Sequence, residues 1–108
     1  MRILLVGASG FIGRHFEVAL KEAGHSVVRA SRSARGEGDI QVDYVHDTTA
    51  AVWLPRLAGI DVVINAVGVL RDTVKTPMQA IHADAPKALF DACEQSNVQR
   101  VIEISALG

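Results

Sequence analysis

Apolar runs and amphipathic stretches alternate along this chain from end to end. Arg2-Ile3-Leu4-Leu5-Val6 opens it as a strand-like run, and Ile12, Phe16, Ala19, Leu20 and Ala23 then recur at helical spacing. Continued in the same way, the pattern predicts strands over about 2–7, 26–31, 40–44, 60–66 and 99–105, and helices over about 11–23, 49–58 and 78–96. Strands that alternate with helices pack as a mostly parallel sheet with right-handed crossovers. The expected fold class is therefore α/β, a doubly wound parallel sheet of about five strands in the order 3-2-1-4-5. Asp61-Val62-Val63-Ile64-Asn65-Ala66-Val67 is almost continuously apolar, as a central strand covered on both faces must be. Gly24 and Gly59 fall just past predicted helices, where a left-handed cap is expected. Two polar loops interrupt the alternation. One is Ser33-Ala34-Arg35-Gly36-Glu37-Gly38-Asp39, and the other runs from Gly68 to Pro77 beyond a strand's C-terminal end, where ligands meet such sheets.

The junction of the first strand with the first helix carries the clearest chemistry. Gly7-Ala8-Ser9-Gly10-Phe11-Ile12-Gly13 spaces three glycines three apart between an apolar strand and an amphipathic helix. A phosphate needs backbone N–H groups exposed at a helix N-terminus, with no side chain where the chain bends or where helix crosses strand. A glycine triplet alone is a common pattern that a tight turn also explains; the strand–turn–helix setting is what makes it a phosphate-binding reading. The Ser9, Gly10, Phe11 and Ile12 amides are expected to face a pyrophosphate.

In a doubly wound sheet the ligand lies across the C-terminal ends of the strands. After the second strand, the acidic residue that usually binds the ribose hydroxyls of NAD would fall at Ser31, which is not acidic. Arg32 follows, with Arg29 and Arg35 nearby. A guanidinium there pairs bidentately with a 2′-phosphate, and the missing carboxylate removes a repulsion, which favours NADP over NAD. The alternative for Arg32 is a solvated loop arginine. Asp43 and Tyr44 end the third strand where an adenine edge would lie, though an aspartate there also serves as a turn residue. Asn65, Ala66, Val67 and Gly68 end the fourth strand; they either let backbone approach the nicotinamide ribose or simply pack into a glycine turn.

Composition narrows the partners. A chain of 108 residues with 49% hydrophobic content and few aromatics suits a sheet filled by Val, Ile, Leu and Ala. A net charge of −1, with Lys and Arg scattered, gives no field for nucleic acid. No signal peptide and no apolar stretch of transmembrane length is read, so no membrane partner is expected and the expected compartment is the cytoplasm. The single cysteine, Cys93, shares an apolar helix face with Leu89 and Ala92 and reads as a buried, inert thiol. His15, His25, His46 and His82 fall in separate elements without ligand spacing, so no metal site is proposed.

Taken in order, Gly7-Ala8-Ser9-Gly10-Phe11-Ile12-Gly13-Arg14-His15, Gly24-His25-Ser26-Val27-Val28, Asp61-Val62-Val63-Ile64-Asn65-Ala66-Val67-Gly68 and Val98-Gln99-Arg100-Val101-Ile102-Glu103-Ile104-Ser105-Ala106-Leu107-Gly108 resemble the N-terminal half of an extended or atypical short-chain dehydrogenase/reductase, the NAD(P)-dependent epimerase/dehydratase-like group. The resemblance covers the whole chain and implies one Rossmann-type NAD(P)-binding domain over residues 1–108. It implies that Gly7, Gly10 and Gly13 bind the pyrophosphate, that Asp43 and Tyr44 approach adenine, and that Ala66, Val67 and Gly68 pass beside the nicotinamide ribose. The chain departs from the family at two places. His82 stands where the family often places an asparagine; it either donates a hydrogen bond there or plays a surface or capping role. Family catalysis uses a serine near the end of the fifth strand, a place that Ser105 approaches, and a Tyr-x-x-x-Lys pair on the next helix. The only tyrosine is Tyr44, with Thr48 four residues on, so that pair is absent from these 108 residues.

The expected function is the dinucleotide-binding portion of an NAD(P)-dependent oxidoreductase or epimerase-type enzyme, not catalytically complete as this chain. The expected fifth strand also exposes an edge that invites pairing with a second copy. Two other classes stay open: a non-catalytic nucleotide sensor or scaffold on the same fold, and a methyltransferase-like use with S-adenosylmethionine, which an acidic second-strand end would favour and Ser31 does not.

Overall fold

The computed structural model describes residues 1–8, 10–32, 38–43, 46–66 and 85–104. Strands β1 (Arg2–Val6), β2 (Ser26–Ser31), β3 (Ile40–Gln41), β4 (Val62–Asn65) and β5 (Arg100–Glu103) form one sheet in the order β3-β2-β1-β4-β5. Every pairing is parallel; Leu4 on the central strand sits opposite Val28 on one side and Val63 on the other. The alternation of strands and helices thus produces the predicted order, because each helix carries the chain back to the same end of the sheet.

Successive residues of β1 point to opposite faces, and each face has its own core. Leu4, Val6, Ala30 and Val63 pack with Trp53, Leu57, Leu89 and Ala92 beneath helix α2 (Ala50–Trp53) and helix α3 (Ala85–Glu94). Ile3, Leu5, Ala8, Val62 and Ile64 pack on the other face against Phe16 and Leu20 of helix α1 (Phe11–Glu22). The buried stripe of α1 is narrower than its periodicity suggests, since Ala19 and Ala23 are exposed and buried Gly13 takes the place of a side chain. The helix ends in a Schellman-type cap, with Gly24 N–H donating to the Lys21 carbonyl (3.0 Å) and His25 N–H to that of Leu20 (3.1 Å).

Two predicted elements depart most from the pattern, while others, such as the strand predicted over 60–66 and found over Val62–Asn65, are trimmed by one or two residues at their ends. The helix expected over 49–58 is α-helical only to Trp53 and continues as a 3₁₀ turn over Leu54–Leu57. Pro55 lacks the N–H that the α ladder needs, and the tighter turn accommodates it. The third strand stops at Gln41 rather than 44, because Asp43 closes a turn: the Asp47 carboxylate accepts the Asp43 N–H (2.8 Å) and the Asp43 carbonyl accepts the Asp47 N–H (2.7 Å). Of the helix predicted over 78–96, α3 forms Ala85–Glu94 and stops two residues early; residues 78–84 lie outside the described residues. No described helix is long and apolar enough to cross a membrane. Cys93 is buried, and that burial pushes its thiol pKa up to about 11, which leaves it protonated and unreactive near neutral pH.

Candidate dinucleotide site

The carboxyl rim of the sheet is where β1 hands over to α1. Gly7 leaves the strand with φ +87°, a left-handed conformation that side-chain-bearing residues rarely adopt, while its N–H donates to the Ala30 carbonyl (2.8 Å). Gly10, at φ −75° and ψ 169°, is the N-cap of α1, and its carbonyl accepts the Arg14 N–H at 2.9 Å. The Phe11 and Ile12 amides precede that bond and belong to the turn whose donors a helix leaves unpartnered. No side chain caps this end and its first turn holds no acidic residue, so the positive pole of α1 is not neutralised from within the helix.

The three glycines do different work. A Cβ on Gly13 would overlap the Gly7 carbonyl oxygen and stand 2.9 Å from its carbon and 3.0 Å from Ala8 Cα, so Gly13 is what lets helix cross strand this closely. Among the described residues, a Cβ on Gly10 would meet only the Gly7 oxygen, at an ordinary 3.5 Å. The packing of the described residues therefore does not require glycine at 10, whereas close approach of a ligand phosphate would. One expectation is corrected: the Gly10 N–H donates to the Gly7 carbonyl (3.1 Å), so it closes the turn instead of facing a pyrophosphate.

At the end of β2, Ser31 is buried and its carbonyl accepts the Val42 N–H (2.9 Å). Arg32 is exposed; its carbonyl accepts from Gln41 Nε2 (3.3 Å), and among the described residues its guanidinium has no carboxylate partner. Arg29 differs. Its Nε lies 3.1 Å from Glu17 and its Nη1 3.4 Å from Asp39, so its guanidinium is already engaged on two sides.

Asp43 stands two residues past β3, with Oδ2 2.6 Å from His46 Nδ1. That hydrogen bond, helped by the charge of Asp43, raises the imidazole pKa above its ordinary 6.5. The turn is tied to the core by Asp47, whose carboxylate pairs with Arg56 (2.9 Å) and whose carbonyl accepts from Trp53 Nε1 (2.9 Å). Arg56 in turn stacks over the Trp53 ring at 4.7 Å. At the end of β4, Ala66 is buried and donates its N–H to the Val6 carbonyl (2.8 Å), extending the ladder to the rim. Buried Asn65 donates from Nδ2 to Glu103 (2.9 Å), a pairing that spacing along the chain did not signal. The structure thus brings Gly7, Gly10, Phe11, Ile12, Gly13, Ser31, Arg32 and Ala66 to one rim, with Asp43 beyond the end of β3. Ser9, Arg35, Tyr44, Val67, Gly68, His82 and Ser105 lie outside the described residues.

A parallel 3-2-1-4-5 sheet with a glycine turn feeding its first helix defines a nucleotide-binding, Rossmann-type domain. More particularly, the chain belongs to the NAD dependent epimerase/dehydratase family, whose model matches residues 3–107. Among curated proteins, no sequence matches the chain significantly. Among solved structures it is similar to UDP-N-acetylglucosamine 4-epimerase from Bacillus cereus, with 22% identity and a TM-score of 0.73 over 95% of this chain and 37% of that one. It is also similar to uronate dehydrogenase from Agrobacterium tumefaciens, with 20% identity and a TM-score of 0.76 over 96% of this chain and 40% of that one. A short-chain dehydrogenase/reductase superfamily protein from Agrobacterium tumefaciens, solved with bound NAD, gives 22% identity and a TM-score of 0.72 over 95% of this chain and 32% of that one. The chain therefore spans well under half the length of each of these three structures.

Proposed function

We propose that residues 1–108 bind the nicotinamide dinucleotide of an oxidoreductase or epimerase-type enzyme, prefer NADP, and depend on further sequence for catalysis. The observation that carries the reading is the junction of β1 and α1, where Gly13 brings helix and strand together and, among the described residues, nothing packs closely enough to require glycine at Gly10. Phe11 and Ile12 amides would hold the pyrophosphate, Ala66 would run beside the nicotinamide ribose, and Asp43 would face the adenine side. Tyr44, Val67, Gly68 and His82 belong to the same reading by their places in the sequence. When bound, the nicotinamide ring supplies a hydride donor or acceptor; the chain's own part is to bind and orient it.

The preference for NADP rests on charge. Ser31 offers no carboxylate where a 2′-phosphate would sit, and exposed Arg32 is available to pair with one. The absence of Tyr-x-x-x-Lys from these residues supports dependence on other sequence for proton transfer, with Ser105 as the serine of that later site. The same absence favours a second reading, a nucleotide-sensing or scaffold module, if the full-length chain also lacks the pair. One buried thiol fits a cytoplasmic setting. The outer edge of β5, beside which Ile102 is 38% exposed, is proposed to pair with a second copy, and sedimentation showing only monomer would remove that part. Calorimetric titration with NADPH and NADH tests the main reading: tighter binding of NADPH supports it, preference for NADH removes the Arg32 argument, and failure to bind either sinks it.

A further inference from the structure

We propose that Arg14 is a specificity-determining residue for the cofactor: from the start of α1 its guanidinium joins Arg32 at the 2′-phosphate of NADP. The inference rests on the dinucleotide reading above and goes beyond it to a second cation, on a different element, for the same phosphate.

One contact fixes the level of α1 against β2: Arg29 Nε lies 3.1 Å from Glu17 Oε1. Ala30 packs into the core on the α2 and α3 side of the sheet, so Arg29 and Ser31, its neighbours along the strand, belong to the α1 side. Helix and strand can both be followed from that contact toward the carboxyl rim, where α1 begins and β2 ends. Arg14 is one turn before Glu17 on the same helix face, a rise of about 4.5 Å, and Ser31 is two positions beyond Arg29, a rise of about 6.6 Å. Arg14 therefore stands at the level of the end of β2, from which Arg32 follows. Helical side chains lean toward their helix's N-terminus, so the long stem of Arg14 carries its guanidinium further toward the rim.

Arg14 is exposed, and its N–H donates to the Gly10 carbonyl (2.9 Å), which sets its stem beside the glycine turn. The carboxylate on its own helix face is already engaged, because Glu17 Oε2 lies 2.7 Å from Lys21 Nζ while Oε1 meets Arg29. The first turn of α1 holds no acidic residue, and among the described residues Arg14 has no carboxylate partner. A guanidinium left in this state pairs well with a doubly charged phosphate. The pyrophosphate is common to both cofactors, so a cation there would not discriminate between them. Placement on the β2 side of α1 is what assigns Arg14 to the 2′-phosphate instead.

The test compares wild type, Arg14→Gln, Arg32→Gln and the double variant in the full-length protein, by calorimetric titration with NADPH and NADH at low and high salt, with thermal melting alongside. Arg14→Gln is expected to weaken NADPH about tenfold, the size of one charge-assisted hydrogen bond, and to leave NADH within about twofold. The double variant is expected to lose more NADPH affinity than Arg32→Gln, and high salt to shrink every difference. Equal loss for both cofactors places Arg14 at the shared pyrophosphate and overturns the proposal while leaving the dinucleotide reading intact. No loss for either cofactor, no added loss in the double variant, or insensitivity to salt overturns it in the same way. A wild type that prefers NADH overturns it together with the NADP preference, and one that binds neither cofactor overturns the dinucleotide reading as well. Should Arg14→Gln fail to fold, Arg14→Ala, with the better helix former, decides by the same ratio of affinities.

Discussion

Alanine at Gly10 and alanine at Gly13 should fail in opposite ways. At Gly13 the added methyl overlaps the Gly7 carbonyl, and the start of α1 has to retreat by about 1 Å before ordinary contact is restored. That movement loosens the Phe16 and Leu20 packing on Ile3 and Leu5, a cost of about 1–3 kcal/mol by analogy with overpacked cores. For a chain of this size, about 2 kcal/mol lowers Tm by roughly 10 °C. At Gly10 the backbone already has dihedrals open to alanine, and the methyl meets the Gly7 oxygen at 3.5 Å. A weaker N-cap is offset by reduced freedom of the unfolded chain, so Gly10→Ala should stay within about 1 kcal/mol of wild type. Its methyl nevertheless fills the space the pyrophosphate needs, and dinucleotide affinity should drop at least tenfold, about 1.4 kcal/mol. Thermal melting and calorimetric titration of both variants separate the two effects. A Gly10→Ala protein that binds the dinucleotide like wild type would refute the idea that phosphate approaches this backbone, and an unshifted Tm for Gly13→Ala would refute the packing argument.

Ser31→Asp places a carboxylate where a 2′-phosphate would sit, and the ratio of NADPH to NADH affinity should fall by about tenfold or more, read by fluorescence titration of each cofactor. Arg32→Ala should weaken NADPH while sparing NADH, whereas a solvated loop arginine would change neither. Trp53 is 1% exposed and anchors the 43–47 turn through Asp47, so Trp53→Ala should cost about 3–5 kcal/mol in urea unfolding. His46 should titrate above 6.5 by NMR and return toward that value in Asp43→Asn. Because the folded-state pKa is the higher one, its support for the turn is complete below 6.5 and is lost as pH rises through the folded value.

The order of the sheet was legible because it follows from alternation: apolar runs of strand length separated by helical stretches leave few topologies for a parallel sheet. Gly7 and Gly13 were legible for the same local reason, since the turn and the crossing both occur within one strand–helix unit. The break of the second helix at Pro55 was printed in the sequence, yet the apolar positions on either side masked it. Ala19 and Ala23 fit the helical period but are exposed, because a period marks a face without saying how wide its contact is. The Glu17–Arg29–Asp39 ion pairs and the Asn65–Glu103 bond could not be read at all. They join residues on different elements, and only the packing of α1 on β2 and the register of β2 against β3 and of β4 against β5 bring them together. Asp43 shows the mixed case: its place after a strand was expected, but its bonds to His46 and Asp47 make it the closing residue of a turn.

The central claim, that the first turn of α1 cradles a dinucleotide's phosphates, is tested most directly by following backbone amide resonances while NADPH is added. The account predicts that the Phe11, Ile12 and Gly13 amides shift most, together with Arg32 and Ala66 along the rim. Saturable binding that leaves those amides unmoved would contradict it.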